Sequence, residues 1–271
     1  MPELPEVETT RRGIEPHLIN QMIDSIVIRQ RQLRWPVPTN IKTVLKHQTI
    51  HHITRRGKYL LLQTKVGTLI IHLGMSGSLR VISTSVHAEK HDHVDIVLSN
   101  QQCLRLRDPR RFGAVLFSKT DPLTHKLLRD LGPEPLSDAF HSDYLFQTSR
   151  KRKINVKAFI MDSKVVVGVG NIYANEALFM ARVHPRRAAG KLTAEQCQKL
   201  TQAIKKVLSA AIKAGGTTLR DFTKSDGKPG YFRQSLKIYD KKDQPCPNCK
   251  KPITHAVIAQ RSTYYCTACQ K

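Results

Sequence analysis

The stretch KYLLLQTKVGTLIIHLGMSG, residues 58–77, decides the first half of the fold. Its two short apolar runs, KYLLLQT and GTLIIHLGMSG, are bounded by turn residues and read as strands. QMIDSIVIRQ, HVDIVLS, QCLRLRD and FGAVLFS repeat the pattern between Ile23 and Phe117, with Gly, Asn or Asp at their ends. A short helix is expected around residues 41–46. This half is therefore mainly β, and two sheet layers around one core make a sandwich.

Ahead of the strands, residues 1–19 read as a helix. Leu4, Val7, Ile14 and Leu18 recur at helical spacing, and Pro2 and Pro5 fall in the first turn, where proline is tolerated. Behind the strands, GPEPLSD (residues 132–138) punctuates the chain, and a linker runs to the basic SRKRK (149–153). Helical stretches follow: VKAFIMDSK, GNIYANEALFMARV and TAEQCQKLTQAIKKVLSAAIKAG. The last has Thr193 as its cap and closes at Gly215 and Gly216. The polar stretch 215–232 is rich in Gly, Ser and Thr and reads as a mobile loop. The expected division is a β-sandwich domain over 1–135, a linker over 136–153, a helical domain over 154–232 and a ribbon over 233–271.

That ribbon rests on CPNC (Cys246, Cys249) and CTAC (Cys266, Cys269), sixteen residues apart. Thiolates two residues apart fit one tight turn, and two such knuckles supply a tetrahedral set for one structural zinc. Two disulfides are the weaker alternative, because nothing else suggests secretion. Cys103 and Cys197 stand alone and read as small buried hydrophobes.

Charge narrows the partner. The chain of 271 residues has 45 Lys and Arg against 21 Asp and Glu, a net of +24. Residues 1–150 hold a net of +7 and residues 151–271 a net of +17. Such an excess suits a polyanion, since each neutralised phosphate releases counterions. An anionic membrane fits less well, as no lipidation motif or basic amphipathic anchor is present. No apolar run reaches the 18 or so residues of a membrane span. The N-terminus carries acids where a signal peptide has bases, so a soluble, cytoplasmic protein is expected.

Those acids are Glu3, Glu6 and Glu8 in MPELPEVETT. Their plain reading is a helix start, with proline and acids in its first turn. The chemical reading begins with removal of Met1, which leaves Pro2 with an unblocked secondary amine. Such an amine attacks electrophilic carbon, and a neighbouring carboxyl can manage protons.

Taken in order, MPELPEVET, RRGKY, HLGMSG, DPRRFG, GVGNIY and the four-cysteine end resemble the formamidopyrimidine-DNA glycosylase family across the whole chain. That bacterial family removes oxidised purines from DNA. The resemblance implies an α+β multidomain fold: an N-terminal β-sandwich with flanking helices, then a helix-two-turn-helix domain and a zinc-ribbon hairpin. It implies a monomer acting on double-stranded DNA with oxidised purines or abasic sites.

The resemblance also assigns roles. Pro2 would form the Schiff base and Glu3 would move protons, while Glu6 either positions Glu3 or the sugar or merely favours the helix start. Lys58 would contact the phosphate beside the lesion and assist β-elimination, and Arg261 would hold the phosphates flanking the flipped nucleotide and take part in δ-elimination, although a strand-edge lysine and a hairpin arginine are usually just solvated. Met75, Arg110 and Phe112 would fill the gap left by the flipped base; otherwise they read as core, surface charge and core. Lys157 and Asn171 would frame a phosphate site at a helix N-terminus. His72, His91, Arg152 and Tyr239 match DNA contacts, and the histidines read equally well as ordinary strand residues. Thr217, Thr218, Arg220 and Tyr231 are candidates for reading the lesion from the loop.

Two functions compete. One is a bifunctional glycosylase and AP lyase that works through Pro2. The other is a non-catalytic zinc-ribbon protein that binds nucleic acid. Charge, cysteines and the anion site fit both, and only the N-terminal proline with its glutamate and the gap-filling trio favour the enzyme. A metal-dependent nuclease lacks the clustered carboxylates it would need.

Overall fold

The computed structural model of the chain describes residues 2–216 and 235–271. Within them the backbone parts into two units, residues 2–129 with 214–216 and residues 130–213 with 235–271.

In the first unit, α1 (Leu4–Leu18) begins where Glu3 leaves extended backbone, and it buries Leu4, Val7, Ile14 and Leu18 as their spacing predicts. Pro16 lies in its last turn, where only the hydrogen bond back to Arg12 is lost. Eight strands follow: β1 (Ile23–Ile28), β2 (His52–Arg56), β3 (Tyr59–Thr64), β4 (Gly67–His72), β5 (Ser78–Ser83), β6 (Asp92–Leu98), β7 (Gln102–Arg107) and β8 (Ala114–Ser118). α2 (Ile41–Leu45) falls between the first two and buries Ile41 and Leu45.

The strands form two antiparallel sheets, in the orders β1-β6-β7-β5 and β2-β3-β4-β8. Leu60, Leu62, Leu69, Ile71 and Val115 of one sheet pack with Ile26, Leu79, Val94, Ile96, Leu104 and Leu106 of the other. Each such side chain, fully buried, contributes about 1.5–3 kcal/mol. β2 and β5 were not legible as strands. Both are sheet edges, and only Ile53 in the first and Ser78 and Leu79 in the second are buried, so the apolar signal is thin. GTLIIHLGMSG is likewise not one strand: β4 stops at His72, and residues 73–77 turn the chain into β5.

The second unit is helical. α3 (Ser142–Ser149) occupies part of the stretch expected to be linker; His141 caps it and Leu145 anchors it. α4 (Val156–Met161), α5 (Asn171–Met180) and α6 (Ala194–Lys213) follow the expected segments. α5 is buried almost all round, from Ile172 to Phe179, and so serves as the central helix. Thr193 caps α6, its hydroxyl accepting the Gln196 amide at 3.1 Å while Gln196 Oε1 accepts the Thr193 amide at 3.2 Å. Gly215 and Gly216 then take left-handed backbone. β9 (Thr254–Ile258) and β10 (Arg261–Tyr265) pair as a hairpin, and Phe179, Ile238, Cys246, Ile253 and Cys266 form a small core with them. Cys103 and Cys197 are buried, and burial pushes both thiols up from their ordinary value. No helix among the described residues is long and apolar enough to cross a membrane.

On the face of the first sheet away from the core, charge replaces apolar packing. Asp95 takes Arg105 in a bidentate pair at 2.9 and 2.8 Å and Arg29 at 2.6 Å. Burial alone would push this carboxyl up, but the two hydrogen-bonded guanidiniums bring it below the usual carboxylate range. Asp95→Ala should therefore leave the buried Arg105 charge with only Asp92, at 3.6 Å, as a carboxylate partner among the described residues and destabilise this unit by about 3 kcal/mol. Denaturation followed through Trp35, the only tryptophan of the chain, reads the unit directly. An unchanged midpoint would show that the pair carries no net stability.

Candidate functional site

The front of the chain is closed by reciprocal hydrogen bonds. The Glu3 amide donates to Glu6 Oε2 at 2.9 Å, and the Glu6 amide donates to the Glu3 carboxylate. Pro2, Glu3 and Glu6 are all buried. Glu6 thus sets the backbone beside Pro2, besides starting the helix. Gly216, at φ +81°, lies against it: an added Cβ would stand 3.2 Å from Glu6 Oε1.

One turn on, the Glu8 carboxylate accepts Arg11, Arg12 at 2.8 Å and Arg55 at 3.1 Å. Burial would raise it, yet these guanidiniums hold it below its ordinary value. Arg55 also donates to the Gly57 carbonyl at 2.8 Å. The Gly57–Lys58 turn is thereby tied to α1, and Lys58 lies in that turn rather than in the strand after it. Nothing in the local sequence joined Glu8 to Arg55, because their meeting depends on strand placement 47 residues away.

His72, at the end of β4, accepts the Gly74 amide through Nδ1 at 3.0 Å. That leaves Nε2 to carry the proton of the neutral ring. Burial, with the charges of Lys58 and Arg34, pushes its pKa from 6.5 down to about 4. His72 is thus a neutral donor near pH 7. Met75 follows, half-buried in the turn 73–77. Arg110 and Phe112 project from the turn between β7 and β8, the guanidinium 5.1 Å from the ring centre and Phe112 43% exposed. Arg111 between them is left-handed, as is His91, which lies half-buried just before β6.

In the second unit, Lys157 is only 1% exposed, and its Nζ donates to the Ser262 carbonyl at 2.9 Å and to Thr263 Oγ1 at 2.7 Å. Asn171, first residue of α5, donates to the same Ser262 carbonyl at 3.0 Å. Its Oδ1 is buried without a hydrogen-bond partner among the described residues. Both residues therefore grip the hairpin beside Arg261, which is exposed at the start of β10. Asn175 adds a bond from the Tyr264 amide at 2.7 Å. Arg152 is exposed between α3 and α4. Tyr239 packs edge-on against Tyr264, and its amide, with those of Lys237 and Ile238, donates to the buried Glu176 carboxylate at 2.9 Å. Asn175 and Glu176 were missed in the sequence, where they look like polar residues of a helix face. Residues 217–234, with Thr217, Thr218, Arg220 and Tyr231, lie outside the described residues.

The hairpin tip is strained. Ala259 and Gln260 are both left-handed, at φ 49° and 59°, the backbone of a two-residue turn that usually takes Asn-Gly. Below it, the four sulfurs of Cys246, Cys249, Cys266 and Cys269 lie within 4.8 Å of one another. The Cys249–Cys266 and Cys246–Cys269 separations are 3.4 and 3.9 Å. A tetrahedron with zinc–sulfur bonds of about 2.3 Å has edges of about 3.8 Å, so the donors fit one zinc. Burial and the other three thiols push Cys269 up to about 12, so the set becomes four thiolates only around a cation.

Two outcomes follow from this geometry. Between pH 6.5 and 4 the unfolded chain protonates His72 while the folded chain does not, so this residue costs stability as pH falls through that window. His72→Gln should flatten that part of the acid limb in Trp35-monitored denaturation, and an unchanged slope would contradict it. Chelation of zinc should abolish protection of the β9 and β10 amides from hydrogen exchange and weaken DNA affinity at least tenfold. A protected hairpin with unchanged affinity would show the metal to be dispensable.

The comparisons with known proteins cover the same ground. The formamidopyrimidine-DNA glycosylase N-terminal domain matches residues 1–115, its H2TH domain residues 131–223, and the zinc finger found in FPG and IleRS residues 243–271. Proteins named formamidopyrimidine-DNA glycosylase from Nitrosococcus oceani and Saccharophagus degradans are 56% and 57% identical, over 100% of both chains. Among solved structures, a Lactococcus lactis FPG mutant complexed with Fapy-dG-containing DNA superposes with a TM-score of 0.93 at 33% identity, covering 100% of each chain. The MutM (FPG) protein of Thermus thermophilus gives 0.89 at 37% identity, covering 99% of this chain and 98% of its own. With its β-sandwich, helical unit and four-cysteine hairpin in the order these relatives have them, the chain belongs to the formamidopyrimidine-DNA glycosylase family.

Proposed function

We propose that this chain, a DNA glycosylase of base excision repair, excises oxidised purines by attack of the Pro2 amine and then cleaves the strand. The nitrogen bonds to the anomeric carbon of the lesion's sugar, the glycosidic bond breaks, and the base departs with a proton. Glu3 moves protons as the sugar ring opens to the iminium. The iminium draws electrons, so a C2′ proton is lost and the bond to the 3′ phosphate breaks. A second elimination releases the 5′ phosphate. Lys58 acts in the first elimination and Arg261 holds the phosphates flanking the flipped nucleotide.

The single observation that carries this reading is the closed Glu3–Glu6 box immediately behind Pro2, which sets the amine and the carboxyl at adjacent backbone positions. Met75 and Phe112 fill the space of the extruded base, and Arg110 pairs with the partner it leaves. His72, His91, Arg152, Lys157, Asn171 and Tyr239 contact the DNA directly or hold the elements that do. Zinc held by Cys246, Cys249, Cys266 and Cys269 is structural, since four thiolates leave no open position for water. The partner is double-stranded DNA containing an oxidised purine or an abasic site; relatives have been solved with Fapy-dG and abasic DNA. The protein works as a monomer in the cytoplasm. The family membership and the Pro2 start set the non-catalytic reading aside.

Borohydride trapping on a duplex with one 8-oxoguanine opposite cytosine tests the mechanism. Intact protein should give a covalent adduct that maps to Pro2, and blocking the N-terminus should abolish it. Tight DNA binding without an adduct would instead support a protein that binds DNA and leaves it uncut.

A further inference from the structure

Two turns of the first unit carry the gap-filling residues, and one buried carboxylate joins them. Asp108 is fully buried. Its Oδ1 accepts the Ser76 hydroxyl at 2.8 Å, and its Oδ2 accepts the Gly113 amide at 2.7 Å. Ser76 Oγ in turn accepts the Arg110 amide at 3.2 Å. A short chain of bonds therefore runs from the turn holding Met75 to the turn holding Arg110 and Phe112. The Asp108 backbone is committed too: its amide donates to the His91 carbonyl at 3.0 Å, and its carbonyl meets the Arg111 amide at 3.1 Å and His93 Nε2 at 2.8 Å.

Close packing reinforces the bonds. Gly74, at φ +63°, faces the second turn so tightly that an added Cβ would fall 2.3 Å from the Phe112 carbonyl carbon and 2.5 Å from the Gly113 nitrogen. A Cβ on Gly113 would stand 2.9 Å from Asp108 Oδ2 and 2.9 Å from the His72 carbonyl. The two turns therefore pack too closely for a side chain at either glycine, and packing as well as hydrogen bonds sets their spacing. Meanwhile the ends that would meet DNA point away from the lock: Arg110 and Phe112 are exposed, and Ser76 and Asp108 are not.

We infer that Asp108 and Ser76 are positioning residues that make Met75, Arg110 and Phe112 one rigid wedge, so that filling the gap and reading the opposite base occur as a single event. This rests on the role given above to those three residues. A loose Met75 turn would still fill space, but Arg110 would no longer be held at a fixed height against the estranged base. The cost should therefore appear in discrimination and in lesion excision, and not in chemistry on DNA whose base is already gone.

The test compares intact protein, Ser76→Ala, Asp108→Asn and Arg110→Ala in single-turnover excision of 8-oxoguanine opposite cytosine and opposite adenine. Borohydride trapping on a preformed abasic site runs beside it. Ser76→Ala removes both the hydroxyl donor to Asp108 and the acceptor of the Arg110 amide, a loss of about tenfold for one or two buried hydrogen bonds. Expected is a change of about that tenfold in the ratio of excision opposite cytosine to excision opposite adenine, with trapping on abasic DNA within about twofold. Asp108→Asn keeps the shape and the Gly113 bond, and should give the same change at smaller size; it serves if Ser76→Ala does not fold. Arg110→Ala separates the two levels. If it leaves the preference intact, the assignment of Arg110 fails. If it abolishes the preference while both lock variants retain it, the lock is overturned. Equal losses on lesion and abasic DNA would also overturn it, since they mark general damage.

Discussion

A carboxylate taken out of water must find donors, and in this chain those donors fix the parts that matter. Glu6 takes the amide of Glu3 and with it the backbone next to Pro2. Asp108 takes the Gly113 amide and the Ser76 hydroxyl, and so spans two turns. Glu176 takes three successive amides from residues 237–239, and through them sets Tyr239. Each acid is buried because its donors are there, and each donor segment is ordered because the acid is buried. Charged hydrogen bonds are roughly twice as strong as neutral ones, which suits them to hold short turns that lack an apolar core of their own.

Guanidiniums do similar work where no amide is available. Glu8 and Arg55 join α1 to the turn of Lys58, and Asp95 with Arg29 and Arg105 ties three neighbouring strands across their outer face. Lys157 is a variation on the theme. A lysine that the family resemblance places at a phosphate site is sunk to 1% exposure, with its charge on a carbonyl and a hydroxyl of the hairpin. Together with Asn171 it makes the position of Arg261 depend on α4 and α5 as well as on the zinc ligands.

What could be read from the sequence was what is local. The inward residues of β3, β4, β6 and β7 announce themselves by apolar runs, and the cysteine knuckles by spacing alone. Pro2 and Glu3 are adjacent, so their chemistry needs no fold to be suspected. β2, β5 and α3 were hidden because edge strands and a short helix bury too few apolar residues to stand out. Asp108 and Ser76 are 32 residues apart, and Glu176 is 61–63 residues from the amides it holds. No periodicity or motif records such a meeting; only the topology creates it. The left-handed Ala259–Gln260 tip was hidden for a different reason, since neither residue is one that favours that backbone.

The three-amide grip of Glu176 bears on how such a protein can drift over evolutionary time. An acid that holds only main chain is indifferent to the side chains above it. Lys237, exposed to solvent, can become almost any residue other than proline without loosening the anchor. Glu176 has no such latitude, because a shorter replacement would strand three buried or half-buried amides, and glutamine would turn an NH2 donor toward at least one of them. Variation in this part of the family should therefore gather on the segment that is held and stay away from the residue that holds it.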